Sequence, residues 1–313
     1  MSAPGIISTP YLRPLITYAG SVQAISVGNG PRGLSISPDS RYVYVANFDS
    51  STVSRIDLMS MTVVDTWSVG SGPTHCAVSP DGTLAFTSNN NTGGVTRIVT
   101  ATGATSSIST GSLPRWCTFT PDGLYLLVCN IASQTVSKLR ISDNAIVATI
   151  SSSTGPIAVD VSPDGSLAYV ANYDSGSITR IVMATDATSS FAVGSALHAV
   201  KFTPNGKYAY VAANSGPPLY RIDVATNAVT SAGSIGSGGL GVGVSPDGSM
   251  TYLVLNSSYV LKRVNVTTGV VSDLTTSGSG PWSAAFAPNG TVACVSNNNG
   301  GGAGTVSVIR LRG

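Results

Sequence analysis

Glutamate is absent from this chain of 313 residues, and all fourteen of its acidic residues are aspartates. A mechanism that needs a glutamate as base, acid or metal ligand is therefore excluded. Charged residues make up only 10% of the chain, against roughly 25% in an average soluble protein. The net charge of +2 is too small and too dilute for nucleic-acid binding through phosphate neutralisation.

Cysteines and long apolar runs are also scarce. The four cysteines, Cys76, Cys117, Cys129 and Cys294, are too few for a disulfide scaffold, and none lies in a Cys-x-x-Cys pair. We expect them to be buried free thiols. Mean hydropathy is +0.26, but the longest dense apolar run, at residues 124–129, is strand-sized. A membrane-spanning helix needs ~18 residues, so we expect no membrane insertion.

A turn motif recurs along the chain at an almost constant period. Ser-Pro-Asp-Gly or a close variant occurs seven times, with prolines at 38, 80, 121, 163, 204, 246 and 288. An apolar strand precedes each turn, where proline sets φ and glycine supplies a positive φ for a hairpin. A second strand, a third strand with one Arg or Lys, and a fourth strand that ends in glycine-rich sequence follow.

Four strands in each unit of about 42 residues predict an all-β, seven-bladed β-propeller with four antiparallel strands per blade. The last unit stops after its third strand, and the missing fourth strand is present near the start, as VQAISV at residues 22–27. We expect this N-terminal strand to close the last blade and to remove an exposed sheet edge. Residues 1–20 are then an extended arm, and residues 21–313 form the propeller.

The repeat, with its SPDG turn, YVAN strand end and TVSRID third strand, resembles the YVTN family of β-propeller repeats from about residue 28 to residue 313. That family is related in architecture to surface-layer propellers and to streptogramin lyases. The resemblance implies the fold and says little about function, since one fold serves many functions. Two units depart from the motif: Ala213 and Leu255 replace the final asparagine, so we expect altered exits from those second strands.

One face of the predicted propeller gathers the candidate ligand-binding residues. Strands alternate in direction, so the entry to each first strand and the loop after each second strand share this face, which we call the top face. Its candidates are Arg32, Phe48, His75, Arg115, Trp116, Tyr173, His198, Tyr259 and Trp282. Aromatic faces flanked by arginines and amides suit a sugar ring or an extended peptide. The alternative is that Trp and His pack loops together and Asn caps turns.

Other polar patterns have simpler structural interpretations. Asp160 and Lys201 should face the channel from neighbouring blades, where an ion pair is a better interpretation than a catalytic dyad. The cation of each third strand should cover apolar surface and bond to carbonyls of the next blade. His75 and His198 lie three blades apart without an acidic third ligand, so we predict no metal and no cofactor.

The first twenty residues are apolar and contain three prolines. They do not resemble a signal peptide, because a basic n-region is absent and the prolines interrupt any apolar helix. We expect them to anchor the disc to a protein partner in a larger assembly, for example by strand addition, or alternatively to pack on the propeller itself. The candidate anchoring residues are Ile6, Ile7, Tyr11, Leu12, Leu15 and Ile16.

The sequence bears on three classes of function. A streptogramin lyase would bring histidines and glutamates around Mg²⁺, and a chain without glutamate does not match that pattern, so we expect no enzyme. A polar, nearly uncharged surface is typical of extracellular proteins, and a virion protein reaches the outside without a signal peptide. We therefore predict a non-catalytic structural or binding propeller on an extracellular assembly, namely a phage virion, as a decoration or receptor-binding protein. The alternative is a secreted or surface-layer propeller that binds glycan or protein.

Overall fold

The computed structural model describes residues 21–231, 235–255 and 260–311, and residues 1–20 and Tyr259 lie outside this part of the chain. The described residues form twenty-eight strands in seven four-stranded antiparallel sheets, with one short 3₁₀ turn at Asn299–Gly301 and no α-helix. In the same ranges no helix is long and apolar enough to cross a membrane. The seven-bladed, all-β architecture predicted from the repeat is confirmed.

Each blade uses four consecutive strands, except the last. Blade 1 contains β2 (Pro31–Ile36), β3 (Tyr42–Asn47), β4 (Thr52–Asp57) and β5 (Thr62–Ser68). Blade 2 contains β6 (Pro73–Val78), β7 (Leu84–Asn89), β8 (Val95–Val99) and β9 (Thr105–Ile108). Blade 3 contains β10 (Pro114–Phe119), β11 (Tyr125–Asn130), β12 (Thr135–Arg140) and β13 (Ile146–Ser151). Blade 4 contains β14 (Pro156–Val161), β15 (Leu167–Asn172), β16 (Ser177–Val182) and β17 (Ala187–Ala192).

The second half of the chain repeats the arrangement. Blade 5 contains β18 (Ser195–Phe202), β19 (Tyr208–Ser215), β20 (Leu219–Asp223) and β21 (Val229–Ser231). Blade 6 contains β22 (Gly239–Val244), β23 (Met250–Leu255), β24 (Val260–Asn265) and β25 (Val271–Thr275). Blade 7 combines β26 (Pro281–Phe286), β27 (Val292–Asn297) and β28 (Ala303–Arg310) with β1 (Val22–Asn29) from the other end of the chain.

The pairing of β1 with β28 closes the ring, as the sequence predicts. The register is antiparallel, with Val22 opposite Ile309 and Ser26 opposite Thr305. Ile25 points inward and is only 6% exposed. It packs in a cluster that joins blade 7 to blade 1 and includes Leu34 and Val306. The edge strand of the last blade is thereby paired rather than open to solvent.

Hydrogen bonds explain why the turn motif is retained. The Ser37 hydroxyl donates to the Asp39 carboxylate, which accepts from the Arg41 amide at 3.0 Å, while the same hydroxyl accepts from the Tyr42 amide at 2.8 Å. Equivalent contacts form at Ser79, Thr120, Ser162, Thr203 and Ser245. These bonds satisfy backbone donors that a tight hairpin leaves without sheet partners.

The asparagine that ends most second strands ties the second strand to the third. Asn47 is fully buried, and its amide donates to Ser54 at 2.9 Å and to Thr52 at 3.1 Å. In blade 5 Ala213 has no side-chain amide to donate, and β19 runs on to Ser215. The expected change at this strand exit is confirmed in blade 5, whereas residue 256 of blade 6 lies outside the described residues.

Core residues and repeated cations join neighbouring blades. The side chains of Arg55 and Lys138 each donate to a carbonyl of the next blade, at Thr100 O (2.9 Å) and Met183 O (3.0 Å). The predicted bonds between cation and carbonyl are confirmed at these two positions. All four cysteines are buried free thiols, also as predicted.

Replacement of Ile25 by alanine tests how much the closure contributes. Ile25→Ala should lower the free energy of unfolding by about 2–5 kcal/mol, the range for truncating a buried isoleucine. Urea denaturation measures this change. Ser26→Ala on the exposed side of the same strand is the control and should change stability by less than about 0.5 kcal/mol. Equal stabilities of the two variants would mean that β1 does not hold the ring together.

Candidate functional site

Each blade directs the start of its innermost strand into the central channel. The first strands run from the top face down to the SPDG turns, which define the bottom face. Near its upper end every first strand has a register shift against the second strand, for example between Pro114 and Cys117. A bulge of this kind inserts one residue and re-aims side chains. It brings Arg115 and Trp116, although adjacent in sequence, to the lining of the same void.

Large side chains close the channel near its top. The remaining void holds only about 20 Å³ and is lined by Arg32, Thr74, Arg115, Trp116, Ile157, His198 and Trp282. This space admits little more than one water-sized group. We call this closure the plug; it separates an upper space from a lower one.

Ring contacts hold the plug together. The Trp116 ring stacks on His75 with centroids 3.6 Å apart. The Arg32 guanidinium carbon lies 3.3 Å from the Phe48 centroid and 4.9 Å from that of Trp282. Both arrangements are within the range of favourable stacking and cation–π contacts. These side chains are therefore held in fixed orientations before any ligand arrives.

His198 connects the plug to the rim. Its ring lies 6.0 Å from Trp282 and 6.2 Å from Tyr173, both edge-on, and its Nδ1 is 2.8 Å from the Leu240 carbonyl. Since that carbonyl can only accept, Nδ1 carries the proton and donates.

Above the plug lies a depression of about 300 Å³, which we call the cup. It is lined by Arg115, Ile131, Ile157, Tyr173, His198, Asn214, Leu240 and Trp282. Its size is at the lower end of the ~300–1,000 Å³ typical of small-molecule sites. The cup therefore has room for a small ligand or for one end of a longer one.

Below the plug lies a well of about 410 Å³ that reaches the bottom-face turns at Pro80 and Pro121. Asp160 and Lys201 line it, and Lys201 Nζ lies 2.8 Å from the Asp160 carboxylate. The Phe202 amide donates to the same carboxylate, also at 2.8 Å. The predicted ion pair between neighbouring blades is confirmed.

The structure brings most of the predicted top-face residues together, with one correction. Arg32, Arg115, Trp116, His198 and Trp282 line the same void, and Phe48 and Tyr173 contact them from the rim. His75, however, is not at the surface of the top face. It is 6% exposed, lies under Trp116 and lines the lower well. The bulge in the first strand sets this depth, and the sequence pattern does not reveal it.

Ile131 is a cup residue that the sequence analysis missed. A signal for it exists, because Ile131 directly follows Asn130 at the end of a second strand, as Phe48 follows Asn47 and Tyr173 follows Asn172. Tyr259 and the candidate anchoring residues of the arm lie outside the described residues.

Two positive charges without ion-pair partners dominate the electrostatics of the plug. Six ion pairs form among the described residues, and none includes Arg32 or Arg115. Burial and the neighbouring charge of Arg115 lower the pKa of Arg32 to about 10, and burial lowers the pKa of Arg115. Both side chains remain charged at neutral pH, and no carboxylate is among the described residues that line the void.

The histidines and cysteines are in environments that favour their neutral forms. Burial lowers the pKa of His75 to about 3 and that of His198 to about 4. Burial also raises the pKa of the thiols of Cys76, Cys117 and Cys294. Within the described ranges no three His, Cys, Asp or Glu side chains converge as a metal site would require. The cup can therefore offer stacking surfaces, amides and fixed positive charge.

Comparison with known proteins supports the fold alone. No family model and no curated protein matches the chain. Among solved structures, a chain of hydrazine synthase from Kuenenia stuttgartiensis is similar, with a TM-score of 0.81 and 21% sequence identity. The match covers 91% of this chain and 97% of that chain. Fold and comparison together define the class of the protein as a seven-bladed β-propeller.

The two buried histidines should make stability depend on pH. Their pKa values are lowered from 6.5 in the folded state, so below pH 6.5 the unfolded chain binds protons that the folded chain does not. The free energy of unfolding is therefore highest above pH 6.5 and decreases as the pH falls below that value. Between pH 7 and pH 5 we expect each histidine to lower the free energy of unfolding by about 2 kcal/mol.

Urea denaturation at pH 5, 6 and 7 measures this dependence. His198→Gln should flatten it by about half, because glutamine does not titrate. The aspartates with lowered pKa values, such as Asp57 and Asp81, stay ionised in this window and should not contribute to it. An unchanged pH dependence in the variant would show that His198 is not held neutral by the fold.

Proposed function

We propose that the chain is a non-catalytic propeller of the YVTN-repeat type that binds a ligand in the cup and is held on an extracellular assembly through residues 1–20. One observation carries the proposal: the plug converts the end of an open channel into a cup with a floor, walled by aromatic, arginine and amide side chains. Such a cup is suited to holding one end of a polymer or a surface receptor.

The chemistry of the cup favours binding over catalysis. Acid–base and nucleophilic mechanisms need a titrating group near the working pH or an activated nucleophile. The described lining residues of the cup include no carboxylate, thiol or lysine. His198 is neutral at pH 7, and its Nδ1 is engaged with the Leu240 carbonyl. The likeness to hydrazine synthase does not bring that enzyme's activity here, since it extends to the fold alone at 21% identity.

The direction of β1 supports a mount on the side opposite the cup. As a fourth strand, β1 runs from the bottom face to the top face. The residue before its start is hydrogen-bonded to the end of β28, since Arg310 N donates to Ser21 O at 3.1 Å. Residues 1–20 are therefore attached at the bottom rim. A partner protein bound by the arm would face the SPDG turns and leave the cup pointing outward.

The assembly that we propose is a phage virion, with the chain as a decoration or receptor-binding protein. A chain with only 10% charged residues suits a particle that works outside the cytoplasm. A propeller is also well suited to display, because each blade packs against its neighbours and the disc stays rigid.

The first test replaces the aromatic wall of the cup. Trp282→Ala should weaken binding to immobilised cell-surface polysaccharides or to whole host cells at least tenfold, because Trp282 lines both the cup and the void below it. Trp67→Ala on β5, outside the cup, is the matched control and should bind like the unmodified chain. Melting temperatures verify that both variants fold. Equal binding of the three proteins would remove the cup from the proposal.

The second test removes residues 1–20. The full chain should sediment with intact particles, and the shortened chain should stay in the supernatant with an unchanged melting temperature. Sedimentation of purified virions and of the cell-envelope fraction in parallel separates the two kinds of assembly. The arm is not the anchor if both chains sediment equally or if neither does.

A further inference from the structure

The arginines of the plug are arranged for a ligand charge that this chain does not supply. Among the described residues, Arg41, Arg55 and Arg140 form ion pairs with aspartates. The other third-strand arginines of the described ranges form none, but these lie one to a blade around the ring and share no void: Arg97, Arg180, Arg221, Arg263 and Arg310. Arg32 and Arg115 form no ion pair with any described residue, and Arg32 Nε is buried without a hydrogen-bond partner among them. Both side chains line the same 20 Å³ void.

This arrangement is costly in the absence of a ligand. A guanidinium that is partly removed from water without a counter-charge loses solvation, which for Arg32 the rings of Phe48 and Trp282 restore only in part, and two such groups also repel each other. Asp49 acts on Arg32 only from a distance, is exposed and makes no ion pair with it. An anion placed between the two arginines would relieve both penalties.

The orientation of Arg32 points to a carboxylate. Phe48 and Trp282 lie against the guanidinium at 3.3 Å and 4.9 Å, so stacking holds its plane and the N–H groups at its edge are left to donate. A guanidinium edge matches the two oxygens of a carboxylate. The void has room for about one oxygen-sized group and lies directly under the cup. One oxygen of a carboxylate would therefore enter the void from the cup, while the second oxygen and the rest of the ligand stay above it.

The walls of the cup favour a ring on that carboxylate. Trp282 lines both the void and the cup, Tyr173 lies across from it near His198, and Asn214 adds an amide to the rim. A pyranose ring has a flat apolar face that packs on an indole, and its hydroxyl groups bond to amides. Aspartate and glutamate side chains present no such face themselves, whereas a sugar acid carries the carboxylate and the apolar face on one ring, so we favour a sugar over an acidic peptide.

We propose that the cup binds a carboxylate-bearing sugar, such as a terminal uronic acid of a polysaccharide, with one carboxylate oxygen in the void between Arg32 and Arg115 and its ring against Trp282. This inference rests on the proposed function, because it names the ligand class of the same cup. It also gives a role to the narrow void at the end of the cup, which has room for one oxygen of the charged group.

Matched acidic and neutral sugars test the proposal. Oligosaccharides of polygalacturonate, alginate and hyaluronate are titrated into the full chain by calorimetry, together with the same oligosaccharides after reduction of their carboxyl groups to alcohols. At least one acidic form should bind tenfold or more tightly than its reduced form. Arg115→Ala should remove this preference, and Arg115→Lys should retain part of it, because lysine keeps the charge without the planar fork.

Arg140→Ala is the matched control, since it removes the same charge from an exposed site on β12 that is paired with Asp143. This variant should keep the full preference. Melting temperatures of all variants check folding, and the lysine variant remains informative if the alanine variant unfolds.

Three results would overturn the inference. The anion assignment fails if acidic and reduced sugars bind equally and Trp282→Ala weakens both, although the cup would still be a binding site. The sugar assignment fails if no acidic sugar binds but a poly-aspartate peptide binds in an Arg115-dependent manner. If no probe binds and Trp282→Ala leaves cell binding unchanged, both the ligand class and the proposed function of the cup are contradicted.

Discussion

Closure of the ring is the constraint on which the rest of the structure depends. A propeller blade buries its faces only against its neighbours, so an open row of blades would leave one blade face exposed at each end. Three kinds of contact join blade 7 to blade 1: a hydrogen bond near the axis, a hydrogen bond on the bottom face and apolar packing between the blades. The Ser296 hydroxyl donates to the Arg32 carbonyl near the axis, and Asn289 N donates to Ser40 Oγ at 3.1 Å on the bottom face. Ile25 fills the apolar layer between the two blades.

Once closed, the ring leaves the channel as the place where blades can differ without disturbing their packing. At one level of the first strands, blades 1 and 6 place glycines, Gly33 and Gly241. A side chain at position 33 would collide with the neighbouring strand, because a Cβ there would lie 2.7 Å from the Cα of His75. Blade 3 places Trp116 at the corresponding position, and one residue earlier blades 3 and 7 place Arg115 and Trp282. The plug therefore results from side chains that differ in size from blade to blade, on a backbone that is nearly the same in each.

The repeat predicted the fold because its period, turn chemistry and strand pattern agree. The Asp160–Lys201 pair was also predictable, since each lies three residues before its turn proline, on the side that faces the channel. The depth of each side chain was not. Arg115 and Trp116 are adjacent in sequence and both line the plug only because a bulge interrupts the pairing of β10 with β11. For the same reason His75, expected at the top surface, lies beneath an indole ring. A pattern of alternating residues contains no information about such a shift.

The positions of charge in the channel explain why the arginines remain without partners. Asp160 is the one acidic residue among the described residues that line the well, and it lies below the plug. Its carboxylate is satisfied by Lys201 and by the amide of Phe202, both at 2.8 Å. Trp116 and His75 lie between Asp160 and the cup. The Asp160 carboxylate is therefore already hydrogen-bonded and too remote to neutralise Arg32 or Arg115. Charge that compensates the arginines more closely than the exposed Asp49 would come from above, from solvent ions or from a ligand, and of these only a ligand with a ring also covers Trp282. The ion pair of Asp160 and Lys201 below the plug and the two arginines without ion-pair partners in the plug give the two ends of the channel different chemistry, although the seven blades around it share one backbone plan.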